Sequence, residues 1–204
     1  MSATERVLVR RPLRADAAAT RQRIIDAAAE LARTESIEAL TMRDIASAAG
    51  ASTATAYTYF ASKEHVYAEA YVDGLHTLTE RLRARPPRGA TAADRVASVF
   101  RRAVEGAANA GNVVQAMAIA LASSDPAVAS SRPAVDEVFD EWMAIALGDA
   151  QIADRDATLQ VLQLTMFAAF VAVAHDRLTL DQAARVLDLC VRRMVVERRP
   201  SPRH

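Results

Sequence analysis

Thr41–Lys63 reads TMRDIASAAGASTATAYTYFASK, and the fold turns on how that stretch is parsed. Thr41 is a good N-cap, and Asp44, three residues on, places a carboxylate at the positive end of a helix. Met42, Ile45, Ala46 and Ala49 recur at helical spacing and give one small apolar face. Gly50 ends this helix, because glycine enters the left-handed conformation without strain. Ser52 can cap a second helix, in which Ala56, Tyr59 and Phe60 turn inward while Thr53, Thr55, Tyr57 and Thr58 stay outward. Short hydroxyl side chains on a helix that starts at a glycine turn suit close approach to phosphates and base edges. Two short helices joined in this way make a helix-turn-helix, which sets its second helix in a DNA major groove. Ser62 caps a third helix with Lys63 and Glu64 in its first turn, where backbone N–H groups attract phosphate. Lys63 is the only lysine; the other 24 of the 25 basic residues are arginine.

These residues resemble the DNA-binding domain of TetR-family transcriptional repressors. The likeness runs through Thr41–Ala46, Ala49–Ser52, Thr55–Phe60 and Ser62–Glu64. Arg21–Arg33, with Ile24, Ile25, Ala28 and Leu31 inward, stands where the family has its opening helix. Ala54 and Ala56 depart from the pattern, which often has glycine and a larger aliphatic residue there. The resemblance implies roles for particular side chains. Thr41 bonds a phosphate through its hydroxyl or N–H, and Arg43 lies at the groove edge. Ser52, Thr53, Thr55 and Thr58 belong to the reading face, against base edges or nearby phosphates. Tyr57 and Tyr59 place hydroxyls on the DNA backbone, Lys63 holds a phosphate, and Phe60 is core.

The whole chain fits an all-α protein. Its 204 residues are 51% hydrophobic with only six glycines, which favours helix and allows one small and one larger domain. Formal net charge is zero, so the chain is not generally basic. Charge is uneven, however: residues 1–25 carry Arg6, Arg10, Arg11, Arg14, Arg21 and Arg23 against Glu5 and Asp16. A basic stretch beside a helix-turn-helix is the electrostatic footprint of a DNA reader. The expected layout is a flexible basic arm over 1–19, a three-helix helix-turn-helix domain over 20–66, a helical bundle over 67–197 that binds ligand and dimerises, and a disordered tail over 198–204. The lone Cys190, among Leu187, Val191 and Met194, reads as a small buried residue. No apolar run is read as long enough to span a bilayer and no signal-peptide core is seen, so no membrane partner and a cytoplasmic location are expected. The arginine- and alanine-rich composition suggests a GC-rich bacterial genome.

Beyond the reading head the spacing predicts helices over 62–85, 91–108, 113–122, 134–147, 154–175 and 180–196, with a break at Pro86-Pro87. The last two carry too many apolar positions for one inward stripe: Leu159, Leu162, Met166, Phe167, Phe170 and Val171 in the first, Val186, Leu187, Cys190 and Met194 in the second. Pairing them with the same helices of a second copy makes a four-helix interface about a two-fold axis. A homodimer through 154–175 and 180–196 also suits DNA, since two heads read half-sites about 34–36 Å apart.

A bundle lined with methionine and aromatic residues can leave an apolar cavity for a small hydrophobic effector. Candidate lining residues are Phe100 and Val104 on one helix, Met117 and Leu121 on the next, Phe139, Trp142 and Met143 on a third, and Met166, Phe167 and Phe170 on a fourth. The stretch 175–194, HDRLTLDQAARVLDLCVRRM, is similar to actinobacterial TetR-type repressors of cholesterol and lipid catabolism. That likeness implies a lipid, steroid or acyl thioester. The functional expectation is a repressor that binds a palindromic double-stranded operator and is released by effector. No cofactor or metal is expected, and no enzyme: His65, His76, His175 and His204 form no metal pair, and no phosphate-cradling glycine loop or nucleophile elbow is present. The alternative reading is a helical adaptor whose helix-turn-helix does not read DNA.

Overall fold

The computed structural model describes residues 3–109, 112 and 126–198, with residues 3–15 described by their backbone. All elements are helices: α1 (Ala3–Thr34), α2 (Met42–Ala48), α3 (Thr53–Tyr59), α4 (Lys63–Ala84), α5 (Ala92–Asn109), α6 (Pro126–Ala129), α7 (Arg132–Leu147), α8 (Arg155–Ala174) and α9 (Leu180–Met194). An isolated bridge between Ile152 and Glu197 is the one β-type contact among the described residues. The helix expected over 113–122 lies outside the described residues, as do residues 199–204 of the expected tail. Arg198 is held, its N–H donating to the Gln151 carbonyl at 2.8 Å.

α1 is one helix from Ala3 onward and runs through the stretch 1–19 that the sequence reading set apart as an arm. Ala15 and Ala17–Ala19 are strong helix formers, and neither glycine nor proline interrupts 13–34. Ile24, Ile25, Ala28 and Ala32 of α1 are buried with Ile37, Leu40, Met42, Ile45, Ala56 and Phe60, which form the small core of the head. Val66, Tyr67 and Ala70 join that core from α4, so the expected boundary at 66/67 falls inside a helix that belongs to both units.

α4 spans 22 residues, about 33 Å of helix. Its second half changes partners: Leu75 and Leu82 pack with Val96, Phe100, Phe139, Trp142, Met143, Leu147, Leu162 and Leu187 in the bundle core. A polar pair inside this core is satisfied. The Trp142 indole N–H donates to Thr79 Oγ1 at 2.8 Å, and that hydroxyl donates to the Leu75 carbonyl at 2.9 Å. Arg95 caps α7, its guanidinium donating to the carbonyls of Ala146 at 2.7 Å and Leu147 at 3.1 Å. α9 begins with a Thr179/Gln182 capping box and packs against both α5 and α8.

α8 is long and apolar enough to cross a membrane by length and composition, with mean hydropathy 1.8. This corrects the expectation that no run reaches that length. The apolar surplus has two faces. Leu162, Met166 and Phe170 enter the bundle core, whereas Val161, Leu164 and Phe167 are exposed.

Candidate DNA interface and effector cavity

The turn between α2 and α3 is built from its backbone hydrogen bonds. Gly50 takes φ 65°. Its N–H donates to Ser47 and the Ala51 N–H donates to Ala46, at 3.1 and 2.9 Å, the double closure of a Schellman turn. The N-terminus of α2 is closed by a capping box, in which the Asp44 carboxylate accepts from the Thr41 N–H at 2.9 Å and from the Thr41 hydroxyl at 2.6 Å. These bonds, the hydroxyl's first, hold the Asp44 carboxyl below its ordinary value. A phosphate at Thr41 therefore competes with Asp44. The α3 cap is Ser52, whose hydroxyl accepts from the Thr55 N–H at 3.0 Å and lies 2.8 Å from the Thr55 hydroxyl.

Ala56 and Phe60 fill the head core, which leaves the other side of α3 to solvent. Ser52, Tyr57 and Thr58 are exposed, Thr53 and Thr55 are half-buried, and Arg43 is exposed on α2. Tyr57 stands out as an aromatic ring 56% exposed. Tyr59 is half-buried against the head core. Lys63 is the exception. Its ammonium donates to the carbonyls of Leu40 at 2.8 Å, Ile37 at 3.1 Å and Glu38 at 3.4 Å. The loop after α1 turns these acceptors toward the first turn of α4, and the three ammonium protons satisfy them. In the free protein Lys63 is therefore a staple of the head, at the position the sequence reading gave to a phosphate contact.

Among the described residues, polar links join head and bundle at two places in particular. Arg21 of α1 pairs with Glu69 of α4 and lies over the Phe60 ring, 5.2 Å from its centroid. The other Glu69 oxygen accepts from the buried Ser131 hydroxyl at 2.7 Å, just ahead of α7. Burial alone would raise the Glu69 carboxyl, but the Ser131 and Arg21 hydrogen bonds outweigh it and hold the group below its ordinary value. The second link is Asn112. Its N–H donates to the Ala32 carbonyl at 3.0 Å, and its side-chain amide donates to the Glu35 carbonyl at 2.8 Å, at the free end of α1.

Beside that end lies a cavity of about 880 Å³, walled by α4, α5, α7 and α8 and reached by Arg33 of α1. Of the candidate lining residues, Trp142, Met166 and Phe170 border it. Phe100, Val104, Phe139 and Met143 do not line it; they pack in the bundle core around it. Phe167 is corrected: it is exposed on the outer face of α8. Met117 and Leu121 lie outside the described residues. The cavity lining missed from the sequence is chiefly α4, with Tyr71, Leu75 and Leu78 at helical spacing. Burial pushes the Tyr71 hydroxyl well above its ordinary value.

Comparison with known proteins places this geometry. Residues 24–70 match the family described as bacterial regulatory proteins, tetR family, and residues 89–194 match the tetracyclin repressor-like C-terminal domain. The chain belongs to the TetR family. An uncharacterised HTH-type transcriptional regulator of Mycobacterium tuberculosis is 30% identical over 168 residues, covering 81% of this chain and 76% of that protein. The HTH-type transcriptional repressor KstR of Rhodococcus jostii is 26% identical over 172 residues, covering 84% and 80%. Among solved structures, Thermus thermophilus FadR, a TetR-family repressor in complex with lauroyl-CoA, is 25% identical with a TM-score of 0.68, covering 90% of this chain and 100% of that one. Membership makes the chain a DNA-binding transcriptional regulator of a non-enzymatic family, with the reading head and bundle already described.

Proposed function

We propose that this TetR-family protein is a repressor that binds a palindromic operator as a homodimer and is released by a small hydrophobic effector in the α4–α8 cavity. The observation that carries the DNA reading is the exposed hydroxyl face of α3, set by the Gly50 turn and the Ser52 cap. In this reading Ser52, Thr53, Thr55 and Thr58 meet base edges or nearby phosphates, Tyr57 and Tyr59 reach the DNA backbone, and Arg43 lies at the groove edge. Thr41 meets a phosphate in exchange for Asp44. The functional division runs through α4, with the head over 20–66 and the bundle over 67–197.

The homodimer reading rests on Val161, Leu164 and Phe167 of α8 with Val186 and Leu189 of α9. All are exposed, on two helices that pack side by side. The effector reading rests on the apolar walls of the cavity and on its contact with both the shared helix α4 and the end of α1. Lauroyl-CoA in Thermus thermophilus FadR supports an acyl thioester over a steroid. A ligand shifts DNA binding only by its differential affinity for two states, here two settings of the head on α4. Action on an operator places the protein in the cytoplasm.

Selection of duplexes from a random-sequence pool by the purified protein tests the first half. The expected product is an inverted repeat with half-sites about one helical turn apart or a multiple of it. Enrichment of no sequence at any salt concentration would overturn the reading. Addition of lauroyl-CoA to the selected complex tests the second half, with release of the duplex expected.

A further inference from the structure

The cavity is apolar inside and cationic at its rim. Arg33, Arg81, Arg85 and Arg102 line it against one carboxylate, Glu105. Arg33 is paired with Glu30 at 3.5 Å, and each helix end near the cavity carries about half an elementary negative charge, so the positive surplus sits at Arg81, Arg85 and Arg102. The arginines at the end of α4 divide by side. Arg83 points away from the cavity and pairs with both Glu80 and Glu141. Arg81 and Arg85, four residues apart on one face, have no side-chain partner among the described residues. Arg102 is drawn to the same place, its guanidinium donating to the Arg85 carbonyl at 2.6 Å.

Two further groups show a site with room kept in it. Gly74 and Gly106 lie in helix interiors on the cavity wall, and a Cβ at either meets nothing within 4 Å. Glycine there costs roughly 0.5–1 kcal/mol of helix stability relative to alanine, with no close approach that requires it. What it gains is volume. Tyr71 is half-buried and lines the same wall.

Resting on the reading of this cavity as the effector site, we propose that its ligand is an anionic amphiphile. The apolar chain lies against Trp142, Met166 and Phe170, and a phosphorylated head is held by Arg81, Arg85 and Arg102. Arg33 extends the contact to the last turn of α1, so the ligand's charge acts directly on the DNA-reading head. A cavity of about 880 Å³ accommodates chain and head together. An acyl-CoA thioester and a single-chain phospholipid share this chemistry.

Trp142 is the only tryptophan and lines the cavity, so its fluorescence reports occupancy in the full-length protein. Lauroyl-CoA, dodecyl phosphate and uncharged dodecanol are titrated into the wild type, Arg81→Gln/Arg85→Gln, Arg33→Gln and Gly74→Leu. The expected result is anion binding at least about tenfold tighter than dodecanol, weakening with salt, with the advantage lost in the double arginine variant while dodecanol binding is unchanged. Lauroyl-CoA outbinding dodecyl phosphate assigns the thioester, and the reverse assigns the lipid. Gly74→Leu weakens all three ligands. Arg33→Gln still binds the anions but no longer releases the selected duplex. Equal binding of dodecanol and dodecyl phosphate overturns the proposal and leaves a hydrophobic effector standing. Failure of all three to bind overturns the effector reading as well. Full duplex release in Arg33→Gln overturns the direct link to the head.

Discussion

Gly50 shows how much one backbone angle controls. Its φ of 65° is left-handed, and an added Cβ meets no atom within 4 Å, so substitution there costs conformation and not space. Gly50→Ala is expected to destabilise by about 1–2 kcal/mol in urea unfolding, and Gly50→Asn by less. An alanine variant as stable as wild type would mean the turn is held by other bonds. Lys63 makes the opposite case, where the contacts matter and the backbone does not. Its ammonium serves three carbonyls of the α1–α2 loop. Lys63→Met is expected to cost about 2 kcal/mol with no DNA present, as loss of a charged hydrogen-bond centre does. A phosphate ligand would instead leave the free protein's stability unchanged. Sequence order alone could not distinguish these roles, because the acceptors lie 23 to 26 positions away.

Among the elements, α4 carries the link from head to bundle, and Glu69 is its polar joint. The Glu69 carboxyl is held below its ordinary value in the folded protein and returns to it on unfolding. Its stabilisation is therefore complete above 4.5 and is lost as pH falls below that value. Glu69→Gln should lower the melting temperature at neutral pH and flatten its fall on the acid side relative to wild type. An unchanged acid slope would assign that slope to Asp44 and Asp94, whose carboxyls are also held low. The helices themselves were legible where the chain marks them. Thr41, Gly50, Ser52 and Thr179 sit at caps or turns, and Pro86-Pro87 follows α4. The start of α1 was not legible, because a run of arginines near a terminus reads as a solvated arm until its helical backbone is seen. The cavity lining was legible only in part. Trp142, Met166 and Phe170 share helical spacing with Phe100 and Met143, and only packing decides which side chains border empty space.

For the molecule as a whole, the outer faces of α8 and α9 have no cover among the described residues. Leu164 is 60% exposed and Leu189 59%, amid Val161, Phe167 and Val186. Leu164→Glu with Leu189→Glu is expected to leave a monomer in sedimentation equilibrium. It should also cut affinity for a two-half-site duplex about a hundredfold while each head stays folded. An unaltered dimer would move the interface elsewhere. Excess apolar positions in the sequence signalled these faces, and the same excess gives α8 its mean hydropathy of 1.8. The solitary lysine has a practical consequence too. With its nitrogen clasped by loop carbonyls, the only side-chain amine is shielded from acylating reagents such as N-hydroxysuccinimide esters. Modification at that position is a single-site clock for opening of the α1–α4 unit, read by mass spectrometry without any engineered label.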